Sequence, residues 1–370
     1  MNFFETYTSN TIGGSANQFI FDTEGKTFTG RVFYKIRTGG SFPYSFLFSN
    51  IIDSTYAFGD VTAKNYVCDS WEFVSAKFAT VSSSFFDNYA IDTAAALMDG
   101  MTEFTALTFN GKNSKTVAPG EFFHTDEIEI DINKGDYLCL EISVKGREIP
   151  WHPESQLPIY CKTENGWEYN KHIPLPGMVG VNRKVSKRLA FFGDSITQGI
   201  GPGQNTYAHW SALIADCLPE TIACWNIGIG FGRANDAASC GAWMFKAKQN
   251  DYVIVCYGVN DINKGQSSEQ IKKDFETIVD KLHAAGAKVL LHTVPPYYYE
   301  DGRLEIWQEV NDYIKTTLAA KADAFFDIVP YLVDPESPYG ASLYGGHPNA
   351  EGSKIWADAL LPVVKEFLEI

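Results

Sequence analysis

Positive charge is scarce in this sequence. Lys and Arg total 30 against 45 Asp and Glu, giving a formal net charge of −15 at pH 7, and no dense basic stripe occurs. A surface of that sign repels nucleic acid and anionic membranes, so neither is an expected partner. Long apolar runs are missing too. No stretch is long enough to span a bilayer, and residues 1–10 hold no basic segment leading into an apolar one. The expectation is a soluble, cytoplasmic protein with no export signal. Cysteine pairs of the C-x-x-C kind are also absent. The seven cysteines (Cys68, Cys139, Cys161, Cys217, Cys224, Cys240 and Cys256) are odd in number and scattered through mostly apolar patterns. That argues against a disulfide framework or a thiolate zinc site and for buried, reduced thiols. No metal and no cofactor are expected.

What the chain does have is a hydrophobic share of 45% and an aromatic share of 14%, the composition of a packed protein rather than a disordered one. At 370 residues it is long for one core, so two domains are expected. Residues 1–147 carry short β-rich runs divided by turn residues: Arg31–Ile36, Tyr44–Phe48, Trp71–Val81, Phe104–Phe109, Glu127–Ile132 and Tyr137–Val144. Glu127–Ile132 alternates polar and apolar at every step, which puts one face in water and one in a core. Asn110-Gly111 and Lys134-Gly135 are placed to turn strands back on each other. The pattern is that of an all-β sandwich or jelly roll. Residues 148–185 lose periodicity, are broken by Pro150, Pro153, Pro158, Pro174 and Pro176, and carry too many aromatics for a free linker. They read as a connecting, loop-rich segment.

From residue 186 to 370 the pattern alternates. Strands are expected at Leu189–Phe192, Ile222–Ile227, Tyr252–Cys256, Lys288–His292 and Ala324–Asp327. Helices are expected at Tyr207–Leu218, Asp236–Lys248, Ser268–Ala285, Leu304–Ala320 and Ala350–Leu368. Such alternation implies right-handed crossovers and a five-stranded parallel sheet covered on both faces, a flavodoxin-like α/β/α sandwich. Ligands bind such sheets at the carboxyl ends of the strands.

Four polar motifs fall at those ends. Gly193-Asp194-Ser195 follows the first strand, Asn226–Arg233 the second and Gly258-Val259-Asn260-Asp261 the third, while Gly345-Gly346-His347-Pro348-Asn349 precedes the last helix. Each alone has a bland reading as turn, phosphate cradle or cap. Together they make an acyl-transfer set. A hydroxyl becomes nucleophilic when a neighbouring base takes its proton, and the imidazole of His347 suits that task. The oxyanion of the tetrahedral intermediate needs converging donors, for which the Ser195 N–H, a glycine N–H of the second loop and the Asn260 amide are candidates.

In these blocks and their order the second half resembles the SGNH hydrolases, the GDSL esterase/lipase family. The resemblance implies a carboxylic ester hydrolase acting through an acyl-enzyme, with Ser195 as nucleophile, His347 as base, and Ser195, a loop glycine and Asn260 as the oxyanion hole. Gly228, Gly230 and Gly232 compete for the glycine position, Gly230 and Gly232 being the candidates. No G-x-S-x-G elbow occurs, so the α/β-hydrolase lipases are not the match. The family's usual Asp three residues before the histidine is replaced by Tyr344. A neutral phenol cannot stabilise an imidazolium as a carboxylate does. The expectation is therefore a Ser195–His347 dyad, its imidazole oriented by a backbone carbonyl or by a displaced acid, Asp334 or Glu336.

A similar dyad, also preceded by a β-sandwich, is found in the carbohydrate esterases of family two. That favours a short acyl group, acetyl, on a carbohydrate as substrate. Asp194, Arg233 and Trp210 are candidate substrate contacts, and Trp151, Trp167 and the Tyr297-Tyr298-Tyr299 run are candidate stacking surfaces. The competing readings are a lipase or lysophospholipase for longer acyl chains, and a non-catalytic carbohydrate-binding protein on a hydrolase scaffold.

Overall fold

The computed structural model describes residues 2–14, 16–53, 66–170, 172–239 and 241–370. The chain divides into two units, Met1–Lys184 and Val185–Ile370.

The first unit is antiparallel β. Five strands form one sheet around Gly40–Ser49, which pairs with Met178–Val181, Phe122–His124 and Ile128–Ile132. Seven form another around Phe28–Lys35, Tyr137–Lys145 and Trp71–Val81. The sheets meet face to face through aromatic side chains: the Phe48 ring of the smaller sheet lies 5.0 Å from that of Phe73 in the larger, and Phe123 lies 5.7 Å from it. Alternation along Ile128–Ile132 is as read from the sequence, with Ile130 and Ile132 buried and Glu129 and Asp131 exposed. At the Asn110-Gly111 turn both residues take left-handed φ, +51° and +74°. The Asp126 carboxylate holds that turn by accepting both of their N–H groups.

The connecting segment needs correction. Residues 148–184 belong to the first unit and contain four strands. Ile159–Thr163 pairs with Phe28–Lys35 and with Gly166–Tyr169, Met178–Val181 pairs with Gly40–Ser49, and Ile149–Trp151 pairs with Phe19–Phe21. Strands of three to five residues are too short to show a period, and prolines are tolerated between them or on a two-stranded edge. Trp151 and Trp167 are part of this unit's own packing. Trp151 donates its indole N–H to the Ile20 carbonyl, and Trp167 lies under the Arg31 guanidinium at 4.3 Å.

The second unit holds a parallel sheet of Lys187–Gly193, Ile222–Asn226, Tyr252–Cys256, Lys288–His292 and Ala324–Phe326. In space the order is second, first, third, fourth, fifth. The chain leaves the first strand toward one edge, then returns to build the other side from the third strand onward. The crevice this reversal opens, at the carboxyl ends of the first and third strands, is where doubly wound sheets bind ligands.

Helices cover the sheet where their periods predict. Ser268–Ala284 starts on a Ser267 side chain that accepts the Gln270 N–H, buries Ile271, Phe275, Ile278, Val279 and Leu282, and is followed by Gly286 at φ +85°. The reading Asp236–Lys248 is broken into Ala234–Ala238 and Ala242–Ala247; Cys240, which it spanned, lies outside the described residues. Three short helices of this unit have no counterpart in the sequence pattern, Ser195–Gln198, Val259–Asn263 and Val329–Leu332, because four or five residues show no helical period. Of the described cysteines all are unpaired, and Cys217 is exposed rather than buried. Among the described residues no helix is long and apolar enough to cross a membrane.

Under the sheet, Trp210 and Trp356 stack with ring centroids 5.0 Å apart, and His292 lies against both. His292 is fully buried, and neither ring nitrogen has a hydrogen-bond partner among the described residues. Burial pushes its pKa down to about 3. The unfolded chain therefore binds a proton at this position below about 6.5 that the folded chain refuses until about 3. In that window folding stability falls as pH falls, by about 1.4 kcal/mol per pH unit for one such group. Urea denaturation midpoints of the wild type should drop from pH 7 to pH 4.5, and His292→Leu should drop less; equal slopes would contradict this.

Candidate active site

The first strand ends in a backbone turn that the Asp194 carboxylate stabilises. It accepts the Ile196 N–H at 3.0 Å and so caps the one-turn helix Ser195–Gln198. Ser195 is the first residue of that helix and 8% exposed. Its own N–H, one of the donors a helix start leaves over, is given to no acceptor among the described residues. Its Oγ lies 2.7 Å from Nε2 of His347.

The loop after the second strand is tied down from beneath. The Asn226 amide donates to the Thr197 carbonyl at 2.8 Å and to the Ser211 hydroxyl at 3.1 Å, while its carbonyl oxygen accepts the Gly228 N–H at 2.9 Å. A Cβ on Gly228 would stand 2.4 Å from the Gln198 nitrogen, so only glycine lets the two loops approach this closely. The N–H of Gly230 is donated to the buried Gln198 Oε1 at 2.6 Å, and that of Gly232 to the Ile229 carbonyl at 3.1 Å. Either glycine has to give up that bond before it can serve an oxyanion. Gln198, three residues after Ser195, thereby holds the second loop, a part for which the sequence carries no signal.

From the third strand, Asn260 gives one amide N–H to the Gly232 carbonyl at 3.0 Å. The other is uncommitted among the described residues. Its neighbour Asp261 is fully buried and accepts the N–H groups of Ala234 and Asn235, which fixes the helix that follows the glycine loop.

The last block is set by its helix. Asn349 caps Ala350–Phe367 by accepting the Gly352 N–H at 2.9 Å and gives its own N–H to the Tyr344 carbonyl at 3.0 Å. His347, half-buried, is thus placed on a closed turn. Tyr344, at the position of the family's aspartate, packs on the helix instead: a Cβ on Gly352 would meet the Tyr344 Cβ at 2.4 Å. Asp334 and Glu336 do not reach His347. The Asp334 carboxylate accepts the Glu336 N–H at 3.0 Å within its own turn, and Glu336 is exposed. Among the described residues, Nδ1 of His347 makes no hydrogen bond, and the expected orienting carbonyl is not found either. Tyr297 was proposed only as a stacking surface, yet its ring lies 6.0 Å from that of His347 at 80°.

Two candidate substrate contacts need correction. Trp210 is 1% exposed and stacked in the core on Trp356. Asp194 is also 1% exposed, turned inward as a helix cap. Neither can meet a ligand from solvent. Arg233 is half-buried and forked onto Asp236, with both bonds at 2.9 Å.

Burial sets the electrostatics. It pushes the Asp194 and Asp261 carboxyls up to about 7, against the backbone N–H groups that favour their ionised forms. It holds His347 below the usual imidazole value, and no charged neighbour adds to the effect. A neutral imidazole hydrogen-bonded to a hydroxyl can take its proton, and the Ser195 N–H and the spare Asn260 N–H are donors for an oxyanion. Among the described residues no group of three or more His, Cys, Asp or Glu is placed to hold a metal ion.

Residues 191–355 match the GDSL-like Lipase/Acylhydrolase family. No curated protein sequence matches the chain. Among solved structures it is similar to a carbohydrate acetylesterase family member from Sinorhizobium meliloti, at 19% identity and a TM-score of 0.41, over 50% of this chain and 100% of that one. The psychrotrophic esterase EstA from Pseudoalteromonas sp. is similar at 16% identity and 0.39, over 50% and 100%. A member of the lipolytic G-D-S-L family from Veillonella parvula is similar at 18% and 0.38, over 48% and 97%. The segment that carries Ser195, Asn260 and His347 thus matches the GDSL-like Lipase/Acylhydrolase family over a little under half of the chain.

Proposed function

We propose that the protein is a serine esterase that removes short acyl groups, acetyl in particular, from carbohydrate. The observation that carries the catalytic part of this reading is the 2.7 Å contact between Ser195 Oγ and His347 Nε2. His347 takes the hydroxyl proton as Oγ attacks the ester carbonyl. The oxyanion is met by the Ser195 N–H and the free N–H of Asn260, with a loop glycine as third donor once it leaves its present acceptor. The imidazolium then protonates the departing sugar oxygen, leaving the acyl group on Ser195. Water, deprotonated by His347, attacks that ester and returns the free serine.

Support for a sugar comes from an exposed aromatic pair, one member on the loop after the fourth strand and the other ahead of the His347 block. Tyr298 and Tyr339 are 45% and 38% exposed, with ring centroids 5.3 Å apart. Aromatic faces of this kind stack on the apolar faces of sugar rings. A second reading, a non-catalytic carbohydrate-binding protein, draws on the missing partner of His347 Nδ1.

A fluorophosphonate should label the wild type. Ser195→Ala should abolish labelling and lower turnover of nitrophenyl acetate by roughly three orders of magnitude or more. Labelling that never occurs would favour the binding protein, and turnover that survives in Ser195→Ala would remove Ser195 from the nucleophile role. Because burial depresses the His347 pKa, the base stays neutral to lower pH than a free imidazole. The acid limb of kcat/KM should therefore fall below the ordinary value of 6.5, and a limb at or above it would contradict the assignment. In a series of esters with lengthening acyl chains, kcat/KM should be highest at acetyl, and acetylated sugars should be turned over; a steep rise toward long chains would make the protein a lipase.

A further inference from the structure

The missing partner of His347 Nδ1 raises the question of what holds the imidazole. A base must keep its ring aimed at the hydroxyl through the proton transfer, and the usual device is a carboxylate on Nδ1. Here Tyr344 is turned onto Gly352, the Asp334 carboxylate is engaged in its own turn, and Nδ1 bonds to nothing among the described residues. Among the described residues one aromatic side chain lies against the ring. Tyr297 lies 6.0 Å from it, edge to face, and also bears on the backbone just before it: a Cβ on Gly346 would stand 2.6 Å from the Tyr297 ring.

That tyrosine is itself fixed. Its backbone bridges to Ala341, and the Tyr299 N–H donates to the Tyr339 carbonyl at 2.8 Å. Tyr299 is fully buried, stacked on Trp307, and donates its hydroxyl to the Pro295 carbonyl at 2.8 Å. The loop after the fourth strand is thus clamped on both sides of Tyr297.

We propose that Tyr297 is the positioning residue for His347, its ring doing by packing what the family's aspartate does by hydrogen bonding. The proposal rests on His347 being the base. Packing supplies orientation and keeps water from one side of the imidazole, but it supplies no charge. Among the described residues the His347 ring is hydrogen-bonded to the Ser195 hydroxyl and packed on the Tyr297 ring, and burial alone shifts its protonation equilibrium. Removing the ring should therefore rehydrate the imidazole as well as loosen it.

The test combines kinetics with titration of the His347 ring by NMR, the titration also run in a Ser195→Ala background. Tyr297→Ala should lower kcat by roughly ten- to a hundredfold, the scale of a misplaced catalytic group, with KM little changed. The His347 pKa should rise toward 6.5. Tyr297→Phe should match the wild type in both, because the ring and not the hydroxyl is required. Tyr297→Leu, which keeps apolar bulk but loses the edge-to-face ring contact, serves if the alanine variant does not fold, with a loss of kcat and a rise of the His347 pKa in the same directions but smaller. An unchanged kcat with an unchanged His347 pKa, or a loss that lies wholly in KM, would overturn the proposal. If the wild type hydrolyses no ester, the esterase reading fails separately, while the titration still decides whether Tyr297 holds the ring.

Discussion

The hydrogen bond between Ser195 Oγ and His347 Nε2 joins residues 152 positions apart, and most of the second unit's architecture serves to hold its ends still. One end is a helix start capped by Asp194; the other is a closed turn capped by Asn349. Neither cap touches the chemistry. Both convert flexible polar loops into fixed geometry by satisfying the N–H groups that helix starts leave over. The parallel sheet places the first and third strand ends side by side, so Ser195 and the Asn260 amide flank the same crevice without any long-range contact designed for the purpose.

Beneath that surface the same economy recurs. Asp194 and Asp261 are both buried and both accept backbone N–H groups, one beside Ser195 and one from the residues that follow the glycine loop. Their depressed tendency to ionise is the cost of putting carboxylates in the core, and the fixed loops are the return. Gln198 and Asn226 complete the arrangement by stitching the first loop to the second. The outcome is a site in which the Ser195 N–H and the spare Asn260 N–H are set before substrate arrives, while the loop glycines are still engaged with Gln198 and Ile229.

Much of this was legible in the residues. The strand ends could be located because buried parallel strands read as apolar runs, and four polar motifs in order at those ends left little freedom about the chemistry. The helix Ser268–Ala284 announced both its ends through Ser267 and Gly286. What could not be read depended on tertiary direction. Asp194 lies within the first motif and Trp210 opens the helix that follows it, but both point inward, and no local pattern announces that. The segment 148–184 hid its strands because each is short and pairs only with distant partners. The glycine loop offered three equivalent residues, and their N–H groups were assigned by neighbours, Gln198 and Ile229, that sequence spacing does not bring together.

The departure that matters most for function is at Tyr344. A site that replaces a carboxylate by packing keeps the direction of the imidazole but gives up both the hydrogen bond that fixes its tautomer and the charge that steadies the imidazolium, so a base of this kind depends on dehydration and fit. The central claim, that Ser195 carries the acyl group during turnover, is open to direct observation. Rapid acid quench of the enzyme during hydrolysis of an activated acetyl ester, followed by peptide mass spectrometry, should find one acetyl group on the peptide containing Ser195 and none in the Ser195→Ala variant. An acetyl group on another residue during turnover, or hydrolysis with no acylated protein at any quench time, would contradict the account.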